Sequence, residues 1–180
     1  MKQAEIKFTF RDYQQLPDDS RYELVEGVLY LVPSPTLYHQ RVLRQIELAL
    51  WMYVRQNALG EIYFAPCDVV LSEISVVQPD LLFVSKEHIG ILTDANVQGA
   101  PDLVVEILSP ATGQRDLGIK RKLYAMHGVR EYWIVDPEAQ TVEVLTWTEV
   151  GYRTVAVVPK TGTLTSSLLP GLSLNLAEVF

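Results

Sequence analysis

Residues 101–137, PDLVVEILSPATGQRDLGIKRKLYAMHGVREYWIVDP, hold two short apolar runs separated by an amphipathic stretch. The runs are LVVEIL at 103–108 and YWIV at 132–135. Both are nearly all apolar, the composition expected of strands covered on both faces. Between them, residues 114–127 keep helical spacing and stop at Gly128, a residue suited to a helix C-cap. Strand, helix and strand in this order predict a crossover unit. One residue breaks the apolar pattern. Glu106 sits in the middle of the first strand.

Working upstream, DLLFV at 80–84 and IYFAPCDVVL at 62–71 read as two further strands. Residues 39–56 place Val42, Ile46, Leu48, Ala49, Met52 and Tyr53 at helical spacing, on a helix long enough to pack across a sheet. RYELVEGVLYL at 21–31 predicts a hairpin around Gly27, and VPSPT then ends it, because two prolines cannot continue a central strand. Thr9 is positioned to cap a short helix running to about Leu16. Downstream, residues 141–146 and 152–158 predict a terminal antiparallel hairpin, and LPGLSLNLAEVF closes the chain. The expectation is a single α/β (α+β) domain over residues 1–180, with a mixed central sheet flanked by helices.

Composition narrows the function classes. The single cysteine, Cys67, rules out an intramolecular disulfide and a cysteine-rich zinc site. No run approaches the ~18 apolar residues of a membrane span, and the N-terminal stretch has no apolar core or cleavage signal, so the cytoplasm is the expected compartment. A net charge of −7 argues against a protein that coats nucleic acid non-specifically, since such binding rests on Lys and Arg neutralising phosphate. It is compatible with a site that gathers carboxylates around a cation.

The chemistry-bearing residues are the charges inside apolar strands. Burying the Glu106 carboxylate costs several kcal/mol unless it is paired or bound to a cation. A buried salt bridge is the bland explanation. Asp80, which opens DLLFV, supplies a second acid, and adjacent strands would bring both carboxylates within reach of one divalent ion. Mg²⁺ takes hard oxygen ligands, commonly one or two carboxylates with waters and substrate phosphate. Such an ion stabilises charge on a phosphodiester and activates water, with a lysine offsetting the remaining phosphoryl charge.

The ordered set of YELVEG at 22–27, SPTLYH ending at His39, QPDLLFV at 78–84, PDLVVEILSP at 101–110, DLGIKRKLY at 116–124, GVREYWIVDP at 128–137 and LPGLSL resembles the Uma-type family. That family belongs to the PD-(D/E)XK, restriction-endonuclease-like nuclease superfamily. The resemblance implies a restriction-endonuclease-like fold and hydrolysis of DNA phosphodiester bonds with Mg²⁺, for which Mn²⁺ can substitute. It implies metal ligation by Asp80 and Glu106 and catalytic roles for Asp80, Glu106 and Lys120. Glu23 would assist from the first strand. The superfamily pattern has a lysine two positions after the glutamate, but position 108 is Leu. In the Uma-type pattern the lysine has moved to the following helix, and its K-x-x-x-Y spacing matches Lys120 and Tyr124. A duplex cutter with one site per chain would act as a homodimer.

Periodicity alone leaves the lysine open. At roughly 100° per residue, Ile119, Leu123 and Met126 form the expected buried stripe, Lys120 and Lys122 lie on its two shoulders, and Arg121 points to solvent. The resemblance selects Lys120; an amphipathic lysine at the rim of a core helix is the alternative. A second Pro-Asp, at Asp102, competes with Asp80 but reads as a turn or strand-start residue. Glu23 also reads as a solvated hairpin carboxylate, on the face opposite Glu26. His39 stands where it would bond a helix cap or contact phosphate. No GxSxG elbow accompanies Ser109, no glycine-rich phosphate loop is present, and His88 and His127 fit no zinc pattern. Two other readings remain: a catalytically silent descendant that binds DNA or a protein, and an α/β hydrolase using the two carboxylates on another bond.

Overall fold

The structure is a computed structural model that describes residues 7–17, 20–109, 113 and 116–180. In chain order the strands are β1 (Tyr22–Val25), β2 (Val28–Leu31), β3 (Gly60–Phe64), β4 (Val69–Ser72), β5 (Ser75–Val77), β6 (Leu81–Ser85) and β7 (Val97–Gln98). They continue with β8 (Leu103–Ile107), β9 (Glu131–Asp136), β10 (Thr141–Thr148), β11 (Gly151–Pro159), β12 (Thr163–Leu164) and β13 (Leu174–Asn175). The α-helices are α1 (Phe10–Tyr13), α2 (Leu37–Gln56) and α3 (Arg121–His127), the last preceded by a π-turn over Asp116–Lys120.

Six strands form the central sheet in the order β11-β10-β9-β8-β6-β3. Its neighbours are antiparallel except β8 and β9, which run parallel across the crossover that α3 completes. The mixed sheet, its flanking helices and the terminal β10–β11 hairpin are those read from the pattern. Residues 114 and 115 of the expected crossover helix lie outside the described residues.

Alternation along β6, β8 and β9 sends side chains to two separate cores. Leu81, Phe83, Leu103, Val105, Ile107, Trp133 and Val135 pack against Val42, Ile46, Leu50 and Val54 of α2. Leu82, Val84, Val104, Tyr132 and Ile134 pack with Leu123 and Tyr124 of α3. Each fully buried aliphatic side chain contributes roughly 1.5–3 kcal/mol relative to exposure, so a truncation such as Leu50→Ala strikes the contact of α2 with the sheet. Glu106 shares the parity of Val104 and therefore faces α3.

The structure corrects three details of the pattern. The run 62–71 is not one strand: β3 belongs to the central sheet and β4 to a second sheet of order β2-β1-β5-β4-β7, with residues 65–68 between them. The 21–31 hairpin also belongs to that second sheet, which closes over the α3 side of the central one. On the crossover helix, Ile119 is 38% exposed and Met126 71% exposed, whereas Lys120, Leu123 and Tyr124 are buried. Beyond the π-turn the spacing is ordinary, and the inward face carries Lys120, Leu123 and Tyr124 at i, i+3 and i+4. Arg121 is half-buried and Lys122 exposed.

Gly60 permits the close approach of β3 to β6: with φ at 156°, an added Cβ would lie 2.0 Å from the Val84 carbonyl oxygen. Gly128 ends α3 in the left-handed region at φ 78°, as its C-cap placement requires.

Candidate active site

The register that pairs Leu81 with Val105 continues outward to set Asp80 opposite Glu106 at the ends of their strands. Asp80 Oδ2 accepts a hydrogen bond from the Ile107 N–H at 2.7 Å. On the same side, Glu106 is buried, and its Oε1 accepts from Lys120 Nζ at 2.8 Å and from the Tyr124 hydroxyl at 2.6 Å. Lys120, only 3% exposed, also lies 2.8 Å from Glu23 Oε1. Glu23 in turn accepts from the backbone N–H of Gln78 at 2.9 Å. Alternation in β1 turns Glu23 inward with Val25, while Glu26 is exposed at the hairpin turn.

Four residues singled out from the sequence therefore line one cleft of about 380 Å³: Glu23 from β1, Asp80 from the start of β6, Glu106 from β8 and Lys120 from the π-turn. Lys120 is no rim lysine. An ammonium placed between two buried carboxylates is held by charge-assisted hydrogen bonds, and removing it would take away the cation that the two share. Lys122, on the exposed face of α3, is not among the residues that line the cleft.

The sequence left the roles of His39 and Tyr124 open. Thr36 caps α2 by accepting from the His39 backbone N–H at 3.2 Å, which fixes the first turn beside the cleft. His39 Nε2 lies 3.1 Å from the Ile107 carbonyl oxygen and 3.3 Å from Asp80 Oδ2. A carbonyl only accepts, so Nε2 carries the proton in that contact. Tyr124 sits four positions after Lys120, one helical turn on, which is why both reach the same carboxylate. Burial, with the Glu106 and Glu23 carboxylates adding to it, pushes the Tyr124 phenol well above its ordinary value and keeps it a donor. Gln78 had no signal beyond its place in QPDLLFV, because its contribution to Glu23 is made by the backbone.

Asp102 lies at the other end of β8. It accepts from the Ser85 backbone N–H at 2.8 Å, and it pairs with His88 Nδ1 at 2.8 Å and Arg130 Nη1 at 3.2 Å. It does not reach the cleft. Burial opposes its ionisation, but the hydrogen bonds from Ser85 and Arg130 and the charge of His88 prevail and hold its carboxyl below the ordinary value.

A family model described as "Uma2: Putative restriction endonuclease" matches residues 10–177. The chain belongs to the Uma2 family. The family resemblance drawn from the ordered motifs is thus borne out. Among solved structures, the chain is similar to the crystal structure of "a putative nuclease belonging to DUF820" from Anabaena variabilis. The two share 20% identity and a TM-score of 0.80, with 96% of this chain and 97% of that one covered. At that identity the likeness shows the fold. No curated protein matches the chain.

The donor set can be tested for a metal ion. Among the described residues, no group of three or more His, Cys, Asp or Glu is gathered to hold a metal. Asp80 and Glu106 offer hard carboxylate oxygens at adjacent strand ends lining one cleft. That set fits a cation which keeps several waters, the habit of Mg²⁺. Among the described residues no helix is long and apolar enough to cross a membrane.

Proposed function

We propose that this Uma2 chain is a metal-dependent nuclease that hydrolyses DNA phosphodiester bonds in the cleft lined by Asp80, Glu106, Lys120 and Glu23. The observation that carries the reading is the convergence of two carboxylates and a buried lysine from separate elements on one cleft. A lysine drawn into the core against two acids has no role in packing that an aliphatic residue would not fill at lower cost.

In this reading Asp80 and Glu106 hold Mg²⁺, or Mn²⁺ in its place. When bound, the ion offsets charge on the phosphate and acidifies a water. Lys120 brings positive charge to the phosphoryl oxygens as negative charge grows on them, the contribution that the superfamily assigns to a lysine two positions after the glutamate. Glu23 holds the lysine in place. Tyr124 orients Glu106, and His39 and the Ile107 N–H orient Asp80. The net reaction adds water across the P–O bond, leaving a phosphate monoester and a free hydroxyl.

The test is nicking of plasmid and oligonucleotide DNA with Mg²⁺ or Mn²⁺ by wild type, Lys120→Ala and Lys122→Ala at matched folded concentrations. Wild type and Lys122→Ala should cut alike and Lys120→Ala about 10²-fold more slowly. Equal cutting by all three would overturn the lysine assignment. No cutting of any DNA form would favour a catalytically silent member that binds DNA or a protein.

A further inference from the structure

A second, larger concavity of about 540 Å³ adjoins the cleft, and the two share Pro66 and Gln78 in their walls. Tyr63 and Phe64 of β3, an edge strand, both border it and are 39% and 51% exposed. Tyr63 pairs with Leu82 and Phe64 with Leu81, so the two side chains leave opposite faces of the strand, and Tyr63 takes the face that Leu92 and Val97 of this concavity share. The loop carrying Thr93, Asp94 and Asn96 lines it as well. That loop is held in shape from within: Thr93 Oγ1 donates to the Asn96 carbonyl at 2.8 Å and accepts from the Asn96 N–H at 3.0 Å. No lysine or arginine stands among the described residues of either wall.

We propose that this concavity seats a nucleobase of single-stranded or locally unpaired DNA whose backbone lies in the adjoining cleft, a substrate class that rests on the nuclease reading above. Three observations point the same way. An aromatic ring exposed beside a phosphodiester cleft, here Tyr63, is a stacking platform, because every base has a π-face and stacking is sequence-tolerant. A pocket without cations among its described residues, bordered by the Asp68 and Asp94 carboxylates and the Gln78 and Asn96 amides, suits the hydrogen-bonding edge of a base and repels a phosphate. The cleft itself contributes only Arg21 and Lys120 as permanent cations among its described residues, in a chain of net charge −7. Duplex binding through the backbone draws on several phosphate contacts at once. A paired base, moreover, keeps its faces stacked and its pairing edge occupied, so it could enter the pocket only by leaving the helix.

The experiment uses the full-length protein, first in chelator and then with Mn²⁺. The probe is a mixed-sequence oligodeoxynucleotide of about 12 nucleotides bearing the fluorescent base 2-aminopurine, offered single-stranded, as a duplex and in an abasic form. In chelator the single strand should bind at least tenfold tighter than the duplex, with quenching of the fluorescent base. Tyr63→Ala should weaken that binding by about tenfold, with melting temperature unchanged, and Tyr63→Trp should retain it. Phe64→Ala, on the other face of β3, should bind like wild type. The abasic strand should bind wild type and variants alike. Equal affinity for duplex and single strand, or a Tyr63→Ala variant that binds like wild type, would overturn the proposal. Adding Mn²⁺ separates the two readings. Cutting that ignores strandedness and Tyr63 keeps the nuclease and removes the base pocket. Quenching that depends on Tyr63, without cutting under any metal, keeps the pocket and removes the nuclease.

Discussion

A buried carboxylate stands near each end of strand β8, Asp102 just before it and Glu106 within it, and the two behave differently. Asp102 and Glu106 are both nearly inaccessible and have the same alternation parity. Asp102 is tied to a backbone N–H and to His88 and Arg130, whose half-exposed side chains reach solvent. Glu106 meets an ammonium as buried as itself, which it shares with Glu23, and it stands opposite Asp80. One acid is satisfied by partners that cost little to bring together. The other belongs to a cleft whose described lining holds three carboxylates against Lys120 and Arg21. A buried acid on an apolar strand is therefore not by itself a functional signal; what sets Glu106 apart is its convergence with two other acids and Lys120 on one cleft.

The sharpest way to break this contrast is to neutralise each acid in turn. Glu106→Gln should lower DNA cleavage by roughly 10³-fold, the upper range for losing one preorganised electrostatic partner, while Asp102→Asn should cut like wild type once folded. A nicking assay at matched folded concentrations decides it, and comparable activity in the two variants would erase the distinction between the ends.

Next in size is the lysine. Lys120→Ala should reduce cleavage by about 10²-fold, and Lys122→Ala should leave it unchanged. Because Lys120 is buried between two acids, its loss should also lower stability by about 3–5 kcal/mol, read from urea midpoints. A stable but inactive Lys120→Ala would mean that Glu23 and Glu106 tolerate each other without it.

The Asp102 end should show itself in stability. Asp102→Ala strands the Ser85 N–H and should cost about 1–3 kcal/mol at neutral pH. The carboxyl titrates below its ordinary value of 3.8 in the fold, so its contribution is complete above about pH 4 and vanishes as pH falls through the folded value. The gap between wild type and Asp102→Asn in urea denaturation should accordingly narrow on acidification. A gap that widened would reverse the sign.

The smallest effect concerns the phenol that donates to Glu106. Tyr124→Phe should slow cleavage about tenfold, the equivalent of about 1.4 kcal/mol. The wild-type rate should show no break from Tyr124 ionisation at neutral or mildly alkaline pH, since its pKa is raised. A break near pH 10 that disappears in Tyr124→Phe would contradict that environment.

Much of this was legible in residue order. The apolar runs at 80–84, 103–108 and 132–135 with the intervening helix predicted the mixed sheet, because strand and helix periods differ and each run keeps to one. Glu106 stood out because a carboxylate among Val104, Val105, Ile107 and Leu108 needs a partner. Periodicity could not choose between Lys120 and Lys122. It placed Leu123 in the buried stripe but misjudged its flanks, because the bonds of Lys120 and Tyr124 to Glu106 turn those two inward and leave Ile119 and Met126 exposed.

What the sequence determined by itself was local: which segments are strands or helices, and which side chains alternate to which face. Only the tertiary structure decided that β1, from a different sheet, would deliver Glu23 to Lys120, that Asp80 would lie opposite Glu106, and that one phenol and one ammonium would share a carboxylate oxygen. It also decided that the run 62–71 would divide between two sheets and bring Tyr63 to the concavity beside the cleft. The physical reason is that facing is set by the backbone period of a single segment. Pairing is set by the free energy of bringing distant charges together, and no single segment contains that information.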